Sequence, residues 1–391
     1  MNVNKMFYQN LFEGLLSDPC EVEFWDGDIQ QYGEGDTKLR IILREPIPKA
    51  ELIGDASLAL GKAYMQDKIE IEGSVREVIE SLYKNQDSFL HQSPAYLKLS
   101  KFITNGVRKS KENVQYHYDI GNDFYRLWLD ETLTYSCAYF KSPEDTLVQA
   151  QKNKVDHILR KLNLHKGQRL LDIGCGWGEL ILAAAQQYQV KALGITLSQE
   201  QFEKVRSRIE DEHLQDLVEV QLLDYREIKN QVFDRVVSVG MLEHVGREHL
   251  DEYFASVQKL LIDGGISLLH SITGRDEHGT NSWIDKYIFP GGYIPMASEL
   301  ISQMERHNFY LLDLESLRSH YTRTLEHWSN NFEEALPKIR ETKDESFIRM
   351  WRLYLQSSAA SFNCGNIDLH QFLFSKGPNN DLPWTRDYIY K

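Results

Sequence analysis

The chain has 391 residues, which is more than an average domain needs, and we expect two domains of unequal size. Hydrophobic residues make up 42% of the chain and charged residues 26%, a composition typical of globular proteins rather than disordered ones. The 44 basic residues against 58 acidic ones give a formal net charge of −14, so a general nucleic-acid-binding protein is not expected.

The cysteines and the apolar segments indicate the compartment. The four cysteines form no CxxC pair, which argues against a disulfide framework and against a zinc site of thiolates. A reducing, cytoplasmic compartment fits best. The first residues lack the charged-then-apolar pattern of a signal peptide, and no run of about 18 apolar residues occurs. We therefore expect any contact with a membrane to be peripheral.

Residues 1–94 predict a small α+β domain. Residues 1–18 place apolar side chains on one helical face, which indicates a helix packed on its own domain or, alternatively, an amphipathic helix that touches a membrane. Residues 20–44 are predicted to form strands, with a hairpin turn at Asp26-Gly27. Helices are predicted over residues 49–60 and 74–84, the second capped by Ser74.

Residues 95–112 are predicted to be a basic linker. Residues 95–111 of this segment contain no acidic residue, and their basic residues are Lys98, Lys101, Arg108, Lys109 and Lys111. One interpretation is a solvated connection between two domains. The other is a patch that binds anionic phospholipid, where each Lys or Arg near the surface contributes about 1 kcal/mol. The two interpretations are compatible.

Residues 113–391 predict a second domain in which strands and helices alternate. Helical patterns lie at 179–188, 199–211 and 249–261. Strand patterns lie at 169–173, 190–195, 218–223, 233–239, 266–272, 310–314 and 372–375. This order predicts an α/β fold with a doubly wound sheet.

A glycine-rich turn follows the first strand of this second domain. The sequence LLDIGCGWG at 170–178 places Gly174, Gly176 and Gly178 between a predicted strand and a predicted helix. Glycine is required where the backbone takes a positive φ or approaches a ligand closely, so the turn predicts a ligand site. Asp172 stands immediately before the turn.

The tip of the next strand indicates which ligand fits. A dinucleotide site would place Asp or Glu about 20 residues after the turn, where it binds a ribose. The segment here reads GITLSQEQ, and Thr196, Ser198 and Gln201 provide hydroxyl and amide groups with no acid at the strand tip. Such groups suit a neutral adenosyl ligand without a pyrophosphate, which disfavours a nicotinamide site.

Polar residues also follow the third and fourth strands. Asp224, Tyr225 and Arg226 come after the third strand, and Glu243 and His244 come after the fourth. In open α/β sheets ligands bind outside the carboxyl ends of the strands. We therefore expect these side chains to converge on one crevice.

The segment YHYDIGNDFYRLWLDETLTYSCAYF at 116–140 makes a family resemblance specific. Together with DIGCGWG, GITLSQEQ, GMLEHVG and FPGGYIP, it resembles bacterial cyclopropane-fatty-acyl-phospholipid synthases, and mycolic acid cyclopropane synthases share much of this set. The resemblance covers residues 113–391 and implies a Rossmann-like class I methyltransferase fold for them. Residues 1–94 resemble the sterol-carrier-like, lipid-binding domain of the longer members that act on phospholipids.

The resemblance implies that S-adenosylmethionine is the cofactor. The reaction it implies is transfer of a methylene group to the cis double bond of an unsaturated acyl chain in a membrane phospholipid. The residues expected to bind the cofactor are Tyr135, Ser136, Asp172, Gly174, Gly176, Gly178, Thr196, Ser198, Gln201, Tyr225 and Arg226.

The resemblance also implies the base for this chemistry. Attack of the alkene on the sulfonium methyl gives a carbocation, which needs a dry, aromatic-lined pocket such as Trp177, Trp283 and Tyr293 could provide. A base must then remove a proton from the new methyl group, and in this family it is held to be a bound bicarbonate ion. The positions implied for that ion are Cys137, Glu243, His270, Ile272 and Tyr321, with Cys137 and Ile272 acting through backbone groups.

One departure from the family pattern concerns a cysteine near the C-terminus. Family members often carry a cysteine that was once assigned as a nucleophile, and the matching position here is Ser358. Cys364 comes six residues later and does not align. Carbocation chemistry requires no nucleophilic side chain, so this departure disfavours a covalent cysteine mechanism rather than the reaction.

Two alternatives to a cyclopropane synthase stay open from the sequence. The first is a lipid methyltransferase that stops at a methyl branch or methylates an amine headgroup. The second is a lipid carrier whose methyltransferase fold is vestigial, although the intact glycine-rich turn counts against it. For the synthase we expect a homodimer in the cytoplasm, peripheral at the inner face of the membrane, with no metal and no nucleic-acid partner.

Overall fold

The computed structural model describes residues 3–16, 18–36, 39–84, 121–275 and 281–390. The predicted basic linker, residues 95–112, lies outside the described residues, as do the predicted domain boundaries on either side of it.

Helices and strands alternate along most of the described chain. The strands are β1 (Cys20–Glu23), β2 (Ile29–Tyr32), β3 (Leu39–Leu43), β4 (Ile69–Glu72), β5 (Arg169–Ile173), β6 (Lys191–Thr196), β7 (Val218–Leu222), β8 (Phe233–Val239), β9 (Leu261–Gly274), β10 (Phe309–Ser316) and β11 (Ile367–Lys376). The helices are α1 (Val3–Leu15), α2 (Lys49–Gly54), α3 (Ala56–Met65), α4 (Val75–Lys84), α5 (Asn122–Tyr125), α6 (Leu147–Lys161), α7 (Glu179–Tyr188), α8 (Gln199–Asp211), α9 (Leu250–Leu260), α10 (Ser282–Tyr287), α11 (Ala297–Arg306), α12 (Arg318–Glu334), α13 (Leu336–Ile339), α14 (Glu345–Asn363) and α15 (Asp387–Tyr390).

The described residues fall into two compact units that are not continuous in sequence. Those within 1–103, 280–290 and 325–366 form the first unit, and those within 104–279, 291–324 and 367–391 form the second. The division passes through α12, between Thr324 and Leu325. Segments that the sequence analysis assigned to the second domain, including α10 and α14, therefore group with the N-terminal residues.

The first unit is α+β, with four strands in the order β2-β1-β3-β4. The predicted hairpin turn at Asp26-Gly27 joins β1 to β2, which pair antiparallel. The predicted cap of α4 is also confirmed, because the Glu77 N–H donates to Ser74 Oγ over 3.2 Å. Helix α14 packs on α3 and α4, and the buried Arg349 donates to the carbonyl oxygens of Tyr64 and Ile69.

The second unit contains a seven-stranded sheet in the order β10-β11-β9-β8-β5-β6-β7, as expected for a doubly wound α/β fold. Strands β5 to β9 pair in parallel, whereas β11 is antiparallel to both β9 and β10. The predictions for β5, β8, α7 and α8 agree with the structure residue for residue. Strand β9 is longer than predicted, and α6 was not predicted at all.

Apolar clusters cover both faces of this sheet. Leu170, Val237 and Leu268 belong to the cluster that includes α6, α7 and α8, while their neighbours Leu171 and Leu269 belong to the cluster that includes α9 and α11. Consecutive residues of a strand point to opposite faces, so strands buried on both sides read as continuous apolar runs. The central strands are thereby fixed in register, and their carboxyl ends meet at one edge.

No helix in the described part of the chain is both long enough and apolar enough to cross a membrane.

Gly194 in β6 is a sensitive packing position. A Cβ added there would lie 2.6 Å from Ile181 Cδ1 and 2.9 Å from Cys175 Sγ. We expect Gly194→Ala to lower the free energy of unfolding by about 1–3 kcal/mol through overpacking. Ile181→Val removes the Cδ1 atom itself and alone should cost about 0.5–1.5 kcal/mol. The double variant should lose less than the sum in urea unfolding, and strict additivity would contradict this packing account.

Candidate active site

Of the three glycines in the turn between β5 and α7, only the middle one has empty space beside it. Gly174, Gly176 and Gly178 have φ values of +84°, +55° and +88°. A Cβ at Gly174 would lie 3.1 Å from Met241, and one at Gly178 would lie 3.0 Å from Val205. A Cβ at Gly176 would meet nothing within 4 Å. The outer two glycines therefore permit close packing, and the middle one leaves room for a ligand.

A pocket lies at the carboxyl ends of β5 to β8, where the sequence predicts a cofactor. The space inside it, including its open mouth, is about 1200 Å³. Nine of the eleven predicted cofactor residues line it: Tyr135, Ser136, Asp172, Gly174, Gly176, Thr196, Gln201, Tyr225 and Arg226.

The other two predicted residues, Gly178 and Ser198, do not line the pocket but lie at the N-terminal ends of α7 and α8. Gly178 begins α7, and Ser198 caps α8 by accepting a hydrogen bond from the Gln201 N–H. Thr196 Oγ1 accepts from the Ser198 N–H over 3.1 Å and donates to Gln201 Oε1 over 2.7 Å. The tip of β6 is therefore pre-organised, and the Gln201 amide keeps its N–H groups for another partner.

The polar residues after β7 form an ion pair. Arg226 donates to both carboxylate oxygens of Asp224, over 2.8 Å and 2.7 Å. This pairing raises the pKa of the Arg226 guanidinium and cancels most of its charge at the pocket wall. The Tyr225 hydroxyl is buried and has no hydrogen-bond partner among the described residues.

Two buried ionisable groups, Asp172 and Lys154, also line the pocket. Burial raises the pKa of the Asp172 carboxyl to about 7, against the opposing charge of Lys154, and its Oδ1 has no hydrogen-bond partner in the described part of the chain. Burial lowers the pKa of the Lys154 ammonium to about 8. Lys154 donates to Ser136 Oγ over 2.8 Å. Sequence reasoning missed Lys154, although it lies one turn from Ala150 and Ile158 on the buried face of α6.

The residues predicted to hold bicarbonate are connected through α12, β11 and β9. Cys137 Sγ lies 3.9 Å from the Leu317 carbonyl oxygen, which also accepts the Tyr321 N–H over 3.0 Å. The Leu317 N–H donates to the Leu369 carbonyl over 2.7 Å, and Leu369 lies opposite Ile272 in the sheet.

Glu243 joins this group from the loop after β8. Its Oε1 accepts the Ile272 N–H over 2.7 Å, while its Oε2 is buried without a hydrogen-bond partner among the described residues. Burial raises the pKa of the Glu243 carboxyl, so this group holds a proton more readily than an exposed glutamate. Met241 and His244, on either side of it, line the cofactor pocket.

His270 lies two residues before Ile272 on the same face of β9. Burial lowers the pKa of its imidazole well below the usual value, so the ring is neutral. Gln371 Nε2 lies 3.2 Å from Nδ1, and with the amide in this orientation Nδ1 accepts the hydrogen bond and the ring hydrogen is on Nε2. Nε2 itself is buried and has no partner within the described residues. Sequence reasoning missed Gln371, which lies one residue before the predicted last strand and inside β11 as observed.

The structure adds no nucleophilic thiol to this group. Cys137 is fully buried, and burial raises the pKa of its thiol, so it stays protonated. Ser358 and Cys364 belong to the first unit, at α14 and its C-cap.

The predicted aromatic wall residues take different positions. Trp177 lines the pocket and donates from Nε1 to Asn122 Oδ1 over 2.8 Å. The Tyr293 N–H donates to the Glu243 carbonyl, and its hydroxyl donates to Glu299. Trp283 lies in the first unit and contacts Gly61, so it forms part of that core.

A solved relative contains the cofactor product. A crystal structure of the mycolic acid cyclopropane synthase CmaA1, in complex with SAH (S-adenosylhomocysteine) and CTAB, superimposes with a TM-score of 0.66 and 34% identity, and covers 70% of this chain and 99% of that one. The open space at Gly176 and the unpaired Asp172 Oδ1 are compatible with such a ligand. The pocket is therefore the candidate site for S-adenosylmethionine.

Gly176 provides a direct test of this pocket. Gly176→Val places a side chain in the open space and should lower the affinity for S-adenosylhomocysteine on the order of tenfold or more in calorimetry. Gly167→Val is the matched control, because Gly167 also has a positive φ and no neighbour within 4 Å but lies outside the pocket. The control should lose stability and keep its affinity. Unchanged affinity in Gly176→Val would place the cofactor elsewhere.

Sequence comparisons cover nearly the whole chain. The family model described as "Mycolic acid cyclopropane synthetase" matches residues 106–372, and a "Domain of unknown function" matches residues 7–94. A "Probable fatty acid methyltransferase" from Pseudomonas putida is 40% identical, covering 95% of this chain and 96% of its own. The "Cyclopropane-fatty-acyl-phospholipid synthase" of Escherichia coli K12 is 36% identical, covering 90% and 92%. This protein therefore belongs to the cyclopropane synthase family of S-adenosylmethionine-dependent enzymes.

Proposed function

We propose that the enzyme transfers a methylene group from S-adenosylmethionine to the cis double bond of unsaturated acyl chains in membrane phospholipids. The similarity to the Escherichia coli synthase supports this substrate, because a match over 90% of this chain extends beyond the second unit into the N-terminal residues. The observation that carries the mechanism is the group formed by Glu243, His270 and Ile272 beside the cofactor pocket.

The chemistry requires a proton acceptor in a dry site. The cofactor supplies an electrophilic methyl group on a sulfonium. The π electrons of the double bond form a bond to this methyl carbon while the carbon–sulfur bond breaks, which leaves a cation on the acyl chain. Loss of one proton from the new methyl group then closes the three-membered ring. Water must be kept away from the cation, and the buried surroundings of His270 and Glu243 serve that purpose.

The unpaired atoms of this site are complementary to bicarbonate. The His270 Nε2–H is a donor suited to an anionic oxygen, and Glu243 Oε2 is an acceptor suited to a hydroxyl. A bicarbonate ion carries both groups, and it would accept the proton lost from the methyl group. The raised pKa of Glu243 allows a proton to be shared between two groups of like charge. Gln371 keeps His270 in the donating tautomer.

Labelled cofactor distinguishes this reaction from its alternatives. The enzyme is incubated with unsaturated phospholipid vesicles and S-adenosylmethionine that carries a trideuterated methyl group, and the lipids are analysed by mass spectrometry and NMR. Cyclopropanation leaves two deuterium atoms on each modified acyl chain, with the proton signals of a ring. A methylated headgroup, or a branched alkene formed by proton loss elsewhere, retains all three and would contradict the proposal.

Glu243→Gln tests the proton-removal step. The amide can still accept the Ile272 N–H, so the fold and cofactor affinity should persist, while turnover should fall on the order of 100-fold or more. Bicarbonate added to a carbonate-depleted wild-type sample should restore activity, and added to the variant it should not. Full wild-type activity in rigorously carbonate-free buffer would contradict the bicarbonate proposal, but it would not affect the proposal about the substrate.

We also propose that the basic residues between Lys98 and Lys111 bring this acidic protein to anionic membranes. Leaving the bilayer would expose the acyl chain to water at about 0.8 kcal/mol per CH₂, so the enzyme must dock at the surface. The Debye screening length is only about 8 Å at physiological salt, and added salt shortens it further. Binding of the protein to anionic vesicles should therefore weaken as the salt concentration rises.

A charge-matched pair of variants tests this docking. Changing Lys101, Arg108, Lys109 and Lys111 to Gln should weaken binding to anionic vesicles at least about tenfold and leave cofactor affinity unchanged. The control changes four exposed lysines of the second unit to Gln, namely Lys166, Lys191, Lys229 and Lys259. Equal weakening by both sets would mean that net charge alone matters, and no weakening by the first set would make the segment a linker only.

A further inference from the structure

Two lysines on the buried face of α6 have different environments. Lys154 and Lys161 are seven residues apart, so they lie two turns apart on one face, and their exposed fractions are 4% and 0%. Lys161 Nζ lies 2.6 Å from Glu315 Oε2 and 3.4 Å from Asp313 Oδ2. Lys154 has no such carboxylate partner among the described residues, and its hydrogen bond is to the neutral Ser136 hydroxyl.

An incompletely paired ammonium is costly in a protein interior. Burying a charge is unfavourable unless an opposite charge or several hydrogen bonds compensate it. An ammonium has three N–H donors, and Ser136 uses one of them. Because Lys154 lines the cofactor pocket, an anionic group of the ligand is positioned to provide the missing compensation.

The same pocket is also lined by a buried carboxyl group, which a positively charged ligand group beside it would hold in the ionised form. Asp172 is 3% exposed, lines the pocket and keeps Oδ1 without a partner in the described structure. Lys154 and Asp172 influence each other electrostatically but form no ion pair within the described residues. A buried ammonium and a separate buried carboxyl group in one pocket match a zwitterion, and the amino-acid end of S-adenosylmethionine is a zwitterion.

We propose that Lys154 binds the α-carboxylate of the cofactor, while Asp172 faces its α-ammonium. Ser136, held by Lys154 at 2.8 Å, lies beside the same carboxylate. Lys154 is then a cofactor-binding residue that recognises the amino-acid end, whereas Thr196 at the end of β6 and Gln201 in the first turn of α8 provide other polar groups of the pocket.

The test compares two ligands that differ in one group. Affinities for S-adenosylhomocysteine and for its decarboxylated analogue, which keeps the amine, are measured by calorimetry on the whole protein. The wild type should bind S-adenosylhomocysteine about 10- to 100-fold more tightly than the analogue. Lys154→Met should lose this preference, because its affinity for S-adenosylhomocysteine falls while its affinity for the analogue does not. Lys154→Arg should retain part of the preference.

Lys161→Met is the matched control, since it removes a buried ammonium from the same face of α6. It should lower the unfolding temperature and keep the wild-type preference between the two ligands. Two results would overturn the proposal: equal loss of affinity for both ligands in Lys154→Met, which would mean that the lysine only holds Ser136, and a wild type that binds both ligands equally. The second measurement needs no variant, so it can overturn the proposal even where Lys154→Met does not fold, and Lys154→Arg then tests the residue itself.

Discussion

Buried polar groups on α6 constrain the second unit. Gln151, Asn153, Lys154, His157 and Lys161 are each less than a tenth exposed. Because buried donors and acceptors need partners, the segments that supply those partners are held in fixed positions. The partners come from the segment at 134–136, from Asp145 and from β10. A helix with an apolar inner face would pack on the sheet but would not hold these segments.

The segment at 135–140 shows how this constraint extends to the chemistry. The ring of Tyr139 lies between the imidazoles of His157 and His320, with centroid distances of 4.2 Å and 4.7 Å and nearly parallel planes. The Tyr139 N–H donates to the Ala150 carbonyl of α6, and the Phe140 N–H donates to His320 of α12. The segment is thus clamped between two helices. Tyr135 and Ser136, which line the cofactor pocket, lie at one end of this segment, and Cys137 follows them. One backbone segment therefore carries residues of both the cofactor pocket and the predicted bicarbonate site.

Sequence patterns predicted the features that depend on residues close together in the chain. The doubly wound sheet, the glycine-rich turn and the polar strand tips follow from apolar runs and from positions that only glycine accepts, and these signals are contained within a few residues. Helix α6 was missed because polar residues interrupt the apolar residues of its buried face, and a search for apolar periodicity does not readily find such a helix. Gln371 was missed because its role depends on His270, from which it is separated by 101 residues. The grouping of α10 and α14 with the first unit likewise depends on packing between segments far apart in sequence.

The position of β11 has a consequence for how the chain is made. Strand β11 lies between β9 and β10, so the 14-residue strand β9 has one unpaired edge until residues 367–376 have been synthesised. At about 5–20 residues per second, the intervening stretch of roughly 100 residues takes on the order of 5–20 seconds to translate. During that interval a long strand with an apolar centre is exposed at a sheet edge, which is a template for aggregation. We therefore expect the chain to be most prone to aggregation late in translation, when most of the sheet has been synthesised but β9 has no partner at this edge.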